Sequence, residues 1–202
     1  MKILMVGGNG TIGKRVSTHF SKKHEVIIAG RTSGDVIMDM GNSDSIKVMF
    51  EKTGKVDSVV CTAGEAKWDK FNSMTEDDFY IGIKSKLMGQ VNLVRIGMEY
   101  MNPGGSFTLS TGILADHPVV MTTSAAMVNG AIHSFVKALA LELENNIRIN
   151  VVSSGVVEDA IEIYQDYFPG HNPIPMKKVV NGFIKSVEGK GNGEIIRMYD
   201  NC

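Results

Sequence analysis

The sequence predicts an α/β fold: a doubly wound parallel sheet with helices on both faces, formed as a single domain by residues 1–202. Three observations predict it. Short β-rich apolar runs alternate along the chain with longer helix-period segments. The runs are apolar almost without interruption, the pattern of strands covered on both faces. A chain of 202 residues can bury one sizeable core without a metal or disulfide staple.

In order, KILMV, EVIIAG, a short VIM at 36–38, VDSVVC, SFTLS, IRINVVS and EIIRMY read as strands. Residues 11–23, 43–54, 75–100 and 123–145 read as helices. The third helix opens with Thr75-Glu76-Asp77-Asp78, a cap residue followed by acids at the positive end of the helix dipole. Phe79, Ile83, Leu87, Val91, Val94 and Met98 recur at three- and four-residue steps and make one buried stripe. Val128, Ile132, Phe135, Val136, Leu139 and Leu143 do the same in the fourth. Strand–helix alternation of this kind builds right-handed βαβ units, whose ligands bind at the carboxyl ends of the strands.

Composition narrows the function. Basic and acidic residues nearly cancel, 21 against 22, which argues against a nucleic-acid binder or a polybasic membrane docker. Cys61 and Cys202 stand far apart without metal-type spacing and fit a reducing cytoplasm. The apolar run KILMV is too short for a signal-peptide core or a membrane span. The expectation is a cytoplasmic protein that takes a small-molecule substrate and holds no metal.

MVGGNGTIGKRV follows the first strand and opens the first helix. Gly8, Gly10 and Gly13 satisfy G-x-G-x-x-G, and Gly7, Gly10 and Gly13 satisfy G-x-x-G-x-x-G. Such glycines permit a tight turn and close backbone approach to a pyrophosphate resting on the helix N-terminus, so a Rossmann-type dinucleotide site is predicted. Gly8 to Lys14 also match the phosphate loop of nucleotide triphosphatases, but Arg15 stands where Ser or Thr would hold magnesium. After the second strand, NAD-preferring folds carry an acid for the ribose hydroxyls. Here Arg31, Thr32 and Ser33 follow Gly30. A guanidinium suits a 2′-phosphate, which favours NADP(H) over NAD(H); a solvated loop arginine is the plainer alternative.

These residues resemble the short-chain dehydrogenase/reductase family over most of the chain. VGGNGTIG resembles its Thr-Gly-x-x-x-Gly-Ile-Gly loop, with Thr11 at the middle glycine and Ile12-Gly13 kept, and equally the Gly-x-x-Gly-x-x-Gly form of its extended and atypical branches. Asp39-Met40 fits the family position that contacts the adenine, and Thr62-Ala63-Gly64 resembles the Asn-Asn-Ala-Gly turn. FVKALALELENNIRINVVSSG is similar to the family's fifth helix and sixth strand, with Ser154-Gly155 in place of Pro-Gly. The resemblance implies cofactor contacts at Gly7, Asn9, Gly10, Thr11, Ile12, Gly13, Arg31, Thr32, Asp39, Met40, Thr62, Ala63, Gly64 and Gly155. It further implies hydride transfer to or from a carbonyl- or alcohol-type substrate, a substrate lid over 156–178, and a homodimer or homotetramer.

The departures fall on the catalytic residues. Aligned on FVKALALEL, the family's tyrosine falls at Ala125, its lysine at Asn129, its serine at Thr111 and its relay asparagine at Lys86, while a nicotinamide-contacting threonine falls at Asp159. Ala125 can donate no proton, and loss of a positioned general acid costs roughly a hundred- to ten-thousandfold in rate. Three side chains are candidates to compensate. Thr111 keeps a hydroxyl that can polarise a substrate oxygen, though a β-branched strand-end residue is as natural a reading. Lys86 can hold a lowered pKa or an anionic group, or be a solvated mid-helix lysine. Ser124 can bind substrate or cap its helix. His133 reads as an outer-face or subunit-contact residue, His117 and His171 as solvated loop histidines with reach to a substrate as the alternative, and Cys61 as core. A catalytically silent NADP(H)-binding sensor is the alternative, and a triphosphatase the third.

Overall fold

The computed structural model describes residues 1–199; Cys202 lies outside them. Seven strands form one sheet in the order β3-β2-β1-β4-β5-β6-β7, every neighbouring pair parallel. The strands are β1 (Lys2–Val6), β2 (Glu25–Gly30), β3 (Val36–Ile37), β4 (Val56–Cys61), β5 (Met101–Gly112), β6 (Arg148–Ser154) and β7 (Ile195–Met198). Strand β1 is central: Leu4 is in register with Ile27 of β2 on one side and Val59 of β4 on the other. Chain order reverses there, so the crevice above the carboxyl end of β1 is the place for a ligand.

Successive side chains of a strand point to opposite faces, and the core divides accordingly. Leu4, Val6, Val59 and Cys61 face one layer with Phe107 and Leu109. That layer is covered by α2 (Ser43–Thr53), α4 (Gly89–Gly97) and α5 (Thr123–Leu139), through Phe50, Leu93 and Val136. Ile3, Met5, Val60 and Val152 face the other, under α1 (Thr11–Phe20) and α7 (Met176–Glu188) with Phe20 and Phe183. A short helix α6 (Ile161–Tyr164) lies between β6 and α7. Coverage of both faces explains the apolar run Ile3–Val6, every residue of which is buried.

Two helices differ from expectation. The segment predicted as one helix over 75–100 is α3 (Glu76–Gly82), a π-helical turn over Ile83–Met88, then α4 and a short 3-10 turn to Tyr100. Its start is as expected: the Thr75 hydroxyl accepts from the Asp78 amide while the Asp78 carboxylate accepts from the Thr75 amide. The π turn inserts extra backbone per turn, which a three- and four-residue stripe does not register. The helix predicted over 123–145 ends at Leu139; the chain then leaves it through turns, and Asn145 and Asn146 further on take left-handed conformations (φ 54° and 57°) that keep helix from resuming before β6.

Candidate active site

The loop between β1 and α1 is shaped by two glycines. Gly7 has φ +78° and donates its amide to the Ala29 carbonyl at 2.8 Å. A Cβ on Gly13 would stand 2.1 Å from the Gly7 carbonyl oxygen, so helix and turn close on each other only with glycine there. Thr62 at the end of β4 donates its hydroxyl to the same Gly7 oxygen at 3.1 Å and ties the strands together. Helix α1 has no side-chain cap, in contrast to α2, where Asn42 Oδ1 accepts from the Asp44 and Ser45 amides. The first amides of α1 are therefore available to an anion, with the helix dipole favouring it. Lys14 lies with Gly8, Asn9 and Ser17 on a separate surface depression.

A cavity of about 760 Å³ opens from this loop along the strand ends. Its walls include Thr11, Ile12, Thr62, Gly64, Lys86, Thr111 and Gly155, which the sequence separates by up to 144 positions, and Ala125 and Asn129 from α5. The 156–178 segment lines the outer wall with Tyr164, Tyr167 and Phe168, facing Trp68. Trp68 packs on Tyr164 and Tyr167 with ring centroids 5.5 and 5.7 Å away. Trp68 was not foreseen; a lone tryptophan in a loop just after the fourth strand was the available signal.

A second cavity of about 290 Å³ joins the other side of the loop, lined by Gly7, Arg31, Asp39, Met40, Ala63 and Gly64. Asp39 Oδ1 accepts from the Gly41 amide at 2.9 Å and holds its own loop. Arg31 is exposed and reaches Glu65 at 3.4 Å, while Asn9 donates to the Ser33 hydroxyl at 2.9 Å. Thr32 is exposed beside Arg31 and lines neither cavity. Asp159 turns away from the larger cavity to pair with Arg15 at 3.0 Å.

The candidate catalytic side chains separate. Thr111 lines the cavity, and its Oγ1 lies 2.8 Å from His133 Nε2. His133 is thus not an outer-face residue: it is 6% exposed, one turn beyond Asn129 on the α5 face against β5. Burial holds its pKa below the usual histidine value, opposed by the Asp116 carboxylate. Asp116 is gripped by both Arg197 (2.8 and 3.1 Å) and Tyr199, and the Arg197 bonds hold its pKa at about 2.

Lys86 sits in the π turn, half-buried, its stem against Gly64 and its side chain on the cavity wall. Burial lowers its pKa, and its ammonium has no hydrogen-bond or ion-pair partner among the described residues. Ser124 is not brought to the cavity. Residues 125 and 129, one turn apart, face it, and position 124 is rotated toward Gly82, fully buried with Oγ unpartnered; nor does it cap the helix. Asn129 is 3% exposed, lines the cavity, and leaves its Oδ1 without a partner among the described residues. A buried acceptor without a partner is costly, so this one suits a donor supplied by a ligand.

His117 packs against Tyr199 and His171 against Phe168, and neither lines the cavity. Cys61 is core, its thiol pushed up to about 11 by burial. Gln90, also unforeseen, is fully buried and both donates to the Ser110 carbonyl and accepts from the Ser110 amide at 3.0 Å. It clamps the end of β5 that carries Thr111.

Comparison with known proteins decides the family. A model of short-chain dehydrogenase type, described as enoyl-(acyl carrier protein) reductase, matches residues 13–174. The chain belongs to the short-chain dehydrogenase/reductase family. Among curated members of that family, the short-chain dehydrogenase/reductase ucsE of Acremonium sp. is 29% identical over 51% of this chain. The 1,2-dihydroxy-1,2-dihydronaphthalene dehydrogenase of Pseudomonas putida is 28% identical over 60%. The matches span 40% and 49% of those proteins' lengths. Among solved structures, the protein lin1944 from Listeria innocua superposes with a TM-score of 0.97 at 46% identity, covering 98% of this chain and 100% of that one. A small-chain dehydrogenase in complex with NADPH gives 0.87 at 25% identity, covering 98% and 95%. A triphosphatase reading finds no support in a short-chain dehydrogenase/reductase whose Arg15 is engaged by Asp159. No helix among the described residues is long and apolar enough to cross a membrane.

Proposed function

We propose that the chain is an NADP(H)-dependent oxidoreductase that transfers hydride to or from a small carbonyl- or alcohol-type substrate with non-standard catalytic residues. The observation that carries the reading is the continuous cavity from the glycine loop to Thr111 and Lys86, open at the strand ends where the fold accepts ligands. When bound, NADP(H) supplies or takes up the hydride. Gly7, Asn9, Gly10, Thr11, Ile12 and Gly13 receive the pyrophosphate at the uncapped start of α1. Arg31 with Thr32 takes the 2′-phosphate, and Asp39, Met40, Ala63 and Gly64 line the adenosine side. Thr62 and Gly155 flank the cofactor's path along the larger cavity, and Asn129 offers its open Oδ1 to a ribose hydroxyl.

Thr111 presents a hydroxyl to the substrate oxygen. Lys86, kept partly desolvated, adds positive charge to the same wall. Ser124 has no part in this arrangement beyond packing the helix start. The 156–178 segment is the substrate lid, and its aromatic side chains with Trp68 select an apolar substrate body. The family's oligomers and the exposed Tyr80, Ile81, Met88 and Met127 on the helical layer support a homodimer or homotetramer.

A second reading, a catalytically silent NADP(H) sensor, rests on Ala125 and Asn129, which lack the acid and the ammonium of the usual pair. One experiment separates them. Trp68 is the chain's single tryptophan, and energy transfer from it to added NADPH measures cofactor binding. Binding together with NADPH oxidation or NADP+ reduction across ketones, quinones and secondary alcohols is expected. Binding without turnover supports the sensor, and tighter binding of magnesium-ATP than of NADPH would sink both.

A further inference from the structure

We propose that Thr111 and His133 form a proton relay that replaces the missing tyrosine, with Thr111 touching substrate and His133, one layer behind it, holding the proton. This deepens the oxidoreductase reading above and rests on it. The geometry is direct: Thr111 lines the cavity and its Oγ1 stands 2.8 Å from His133 Nε2. His133 itself does not reach the cavity, so protons pass between it and a substrate only through the threonine hydroxyl. Few neighbours compete for that hydroxyl: Thr111 is 5% exposed and its side chain makes no other hydrogen bond among the described residues. The charged groups that act on the imidazole are Asp116 after β5, Arg197 on β7 and Lys137 one turn along α5. Asp116 favours the charged ring, and Arg197 and Lys137 oppose it.

The step balances as follows. In alcohol oxidation, the C–H bond breaks and its hydride goes to NADP+, which is reduced, while the carbon becomes a carbonyl. The alcohol proton moves to Thr111 Oγ as the Thr111 proton moves to His133 Nε2, leaving threonine neutral and the imidazole charged. In reduction each transfer reverses, and the new alkoxide takes its proton from Thr111, which is refilled by imidazolium. A neutral imidazole is the base this requires. Burial keeps the ring neutral at neutral pH, so the relay is set for oxidation there. Oxidation falls as pH drops through the His133 pKa, below the ordinary 6.5, and reduction rises over the same window.

The test uses the full chain in two forms of measurement. In the ligand-free protein, proton NMR of the histidine Cε1–H follows His133, assigned by its loss in His133→Gln; a midpoint below 6.5 that moves in Thr111→Val is expected. In turnover, His133→Gln and Thr111→Val bind NADPH within about twofold of the native chain, while kcat for oxidation falls about 10- to 1,000-fold. In His133→Gln the low-pH limb of the oxidation profile disappears. Thr111→Val loses the same limb, and Thr111→Ser, which keeps the hydroxyl, retains it, which a packing role for the threonine methyl would not predict. Native turnover with unchanged rate and pH profile in His133→Gln overturns the relay and leaves the oxidoreductase reading standing. So does a His133 resonance indifferent to Thr111→Val. NADPH binding without turnover of any substrate by the native chain ends the relay and the oxidoreductase reading together.

Discussion

Arg31→Ala separates NADPH from NADH, and the structure gives the size of the effect. Arg31 is paired with Glu65 at 3.4 Å, with the two side chains 67% and 58% exposed. Such a pair contributes about 0–1 kcal/mol, so Arg31 turns to an incoming 2′-phosphate at little cost. Charge-assisted bonds to the phosphate are worth about 1.5–3 kcal/mol, and exposure trims this to about 1–2, a loss of roughly 5- to 30-fold in NADPH affinity. NADH, lacking the phosphate, changes by less than about twofold.

Glu65 opposes the same phosphate. With the phosphate on Arg31, the carboxylate stands within about 7 Å, where a dianion and a single charge repel by about 1 kcal/mol in water. Salt at about 0.15 M screens this to about half a kcal/mol. Glu65→Gln therefore tightens NADPH about twofold at that salt and about fivefold at low salt. Titration of Trp68 fluorescence with both nucleotides at the two salt concentrations reads all of it. Equal losses for NADPH and NADH in Arg31→Ala, or a Glu65→Gln effect independent of salt, would refute the assignment of this arginine.

Three further outcomes are expected. Gly13→Ala forces the Gly7 carbonyl to retreat by more than about 1 Å from the 2.1 Å contact, lowering stability by about 1–3 kcal/mol in urea unfolding and NADPH affinity at least about tenfold. Asp116→Asn costs about 1 kcal/mol at pH 7, allowing for solvent screening. Because the Arg197 bonds hold the folded carboxyl at about 2 and the ordinary value is 3.8, that contribution is complete above about pH 5. It is lost as pH falls toward 2, so parallel unfolding curves of the two proteins at pH 7 and pH 2.5 should converge; a constant gap would contradict it. Sedimentation velocity should show a dimer or tetramer, and Met127→Glu should shift it toward monomer; a monomeric native chain would contradict the interface.

Much of the fold was legible because it is set by local periodicity. EVIIAG and VDSVVC match their strands residue for residue, since each concentrates β-branched Val and Ile, which fit a pleated surface. The break at Ile83–Met88 was hidden, because apolar residues recur at helical spacing through it, yet of the Phe79-to-Met98 stripe only Val94 is fully buried and the core contact of α4 passes to Leu93 and Val94. Gly82 and Gly89 bracket that turn and were the trace of it: a Cβ on Gly89 would meet Met40 Cγ at 2.7 Å. In the site, the glycine loop was legible because its glycines are dictated by backbone contact. The place of His133 was not, because its partner is set by the packing of α5 on β5. A four-residue step from Ala125 and Asn129 does point to it, on a helix whose apolar stripe of Val128, Ile132 and Val136 runs beside it. Ser124 was misjudged by a single residue, which on a helix is a rotation of about 100°.

The order of the sheet carries a consequence for how the chain assembles. No two strands are joined as a hairpin, and β1 sits between β2 and β4. During synthesis β1 can pair with β2 once residue 30 has emerged, but its second ladder waits for Cys61. Until then one side of Lys2–Val6, four of whose five residues end fully buried, is an unsatisfied parallel edge. Slow, topology-limited folding with an aggregation-exposed early phase follows from that order, and lower expression temperature is the remedy it suggests.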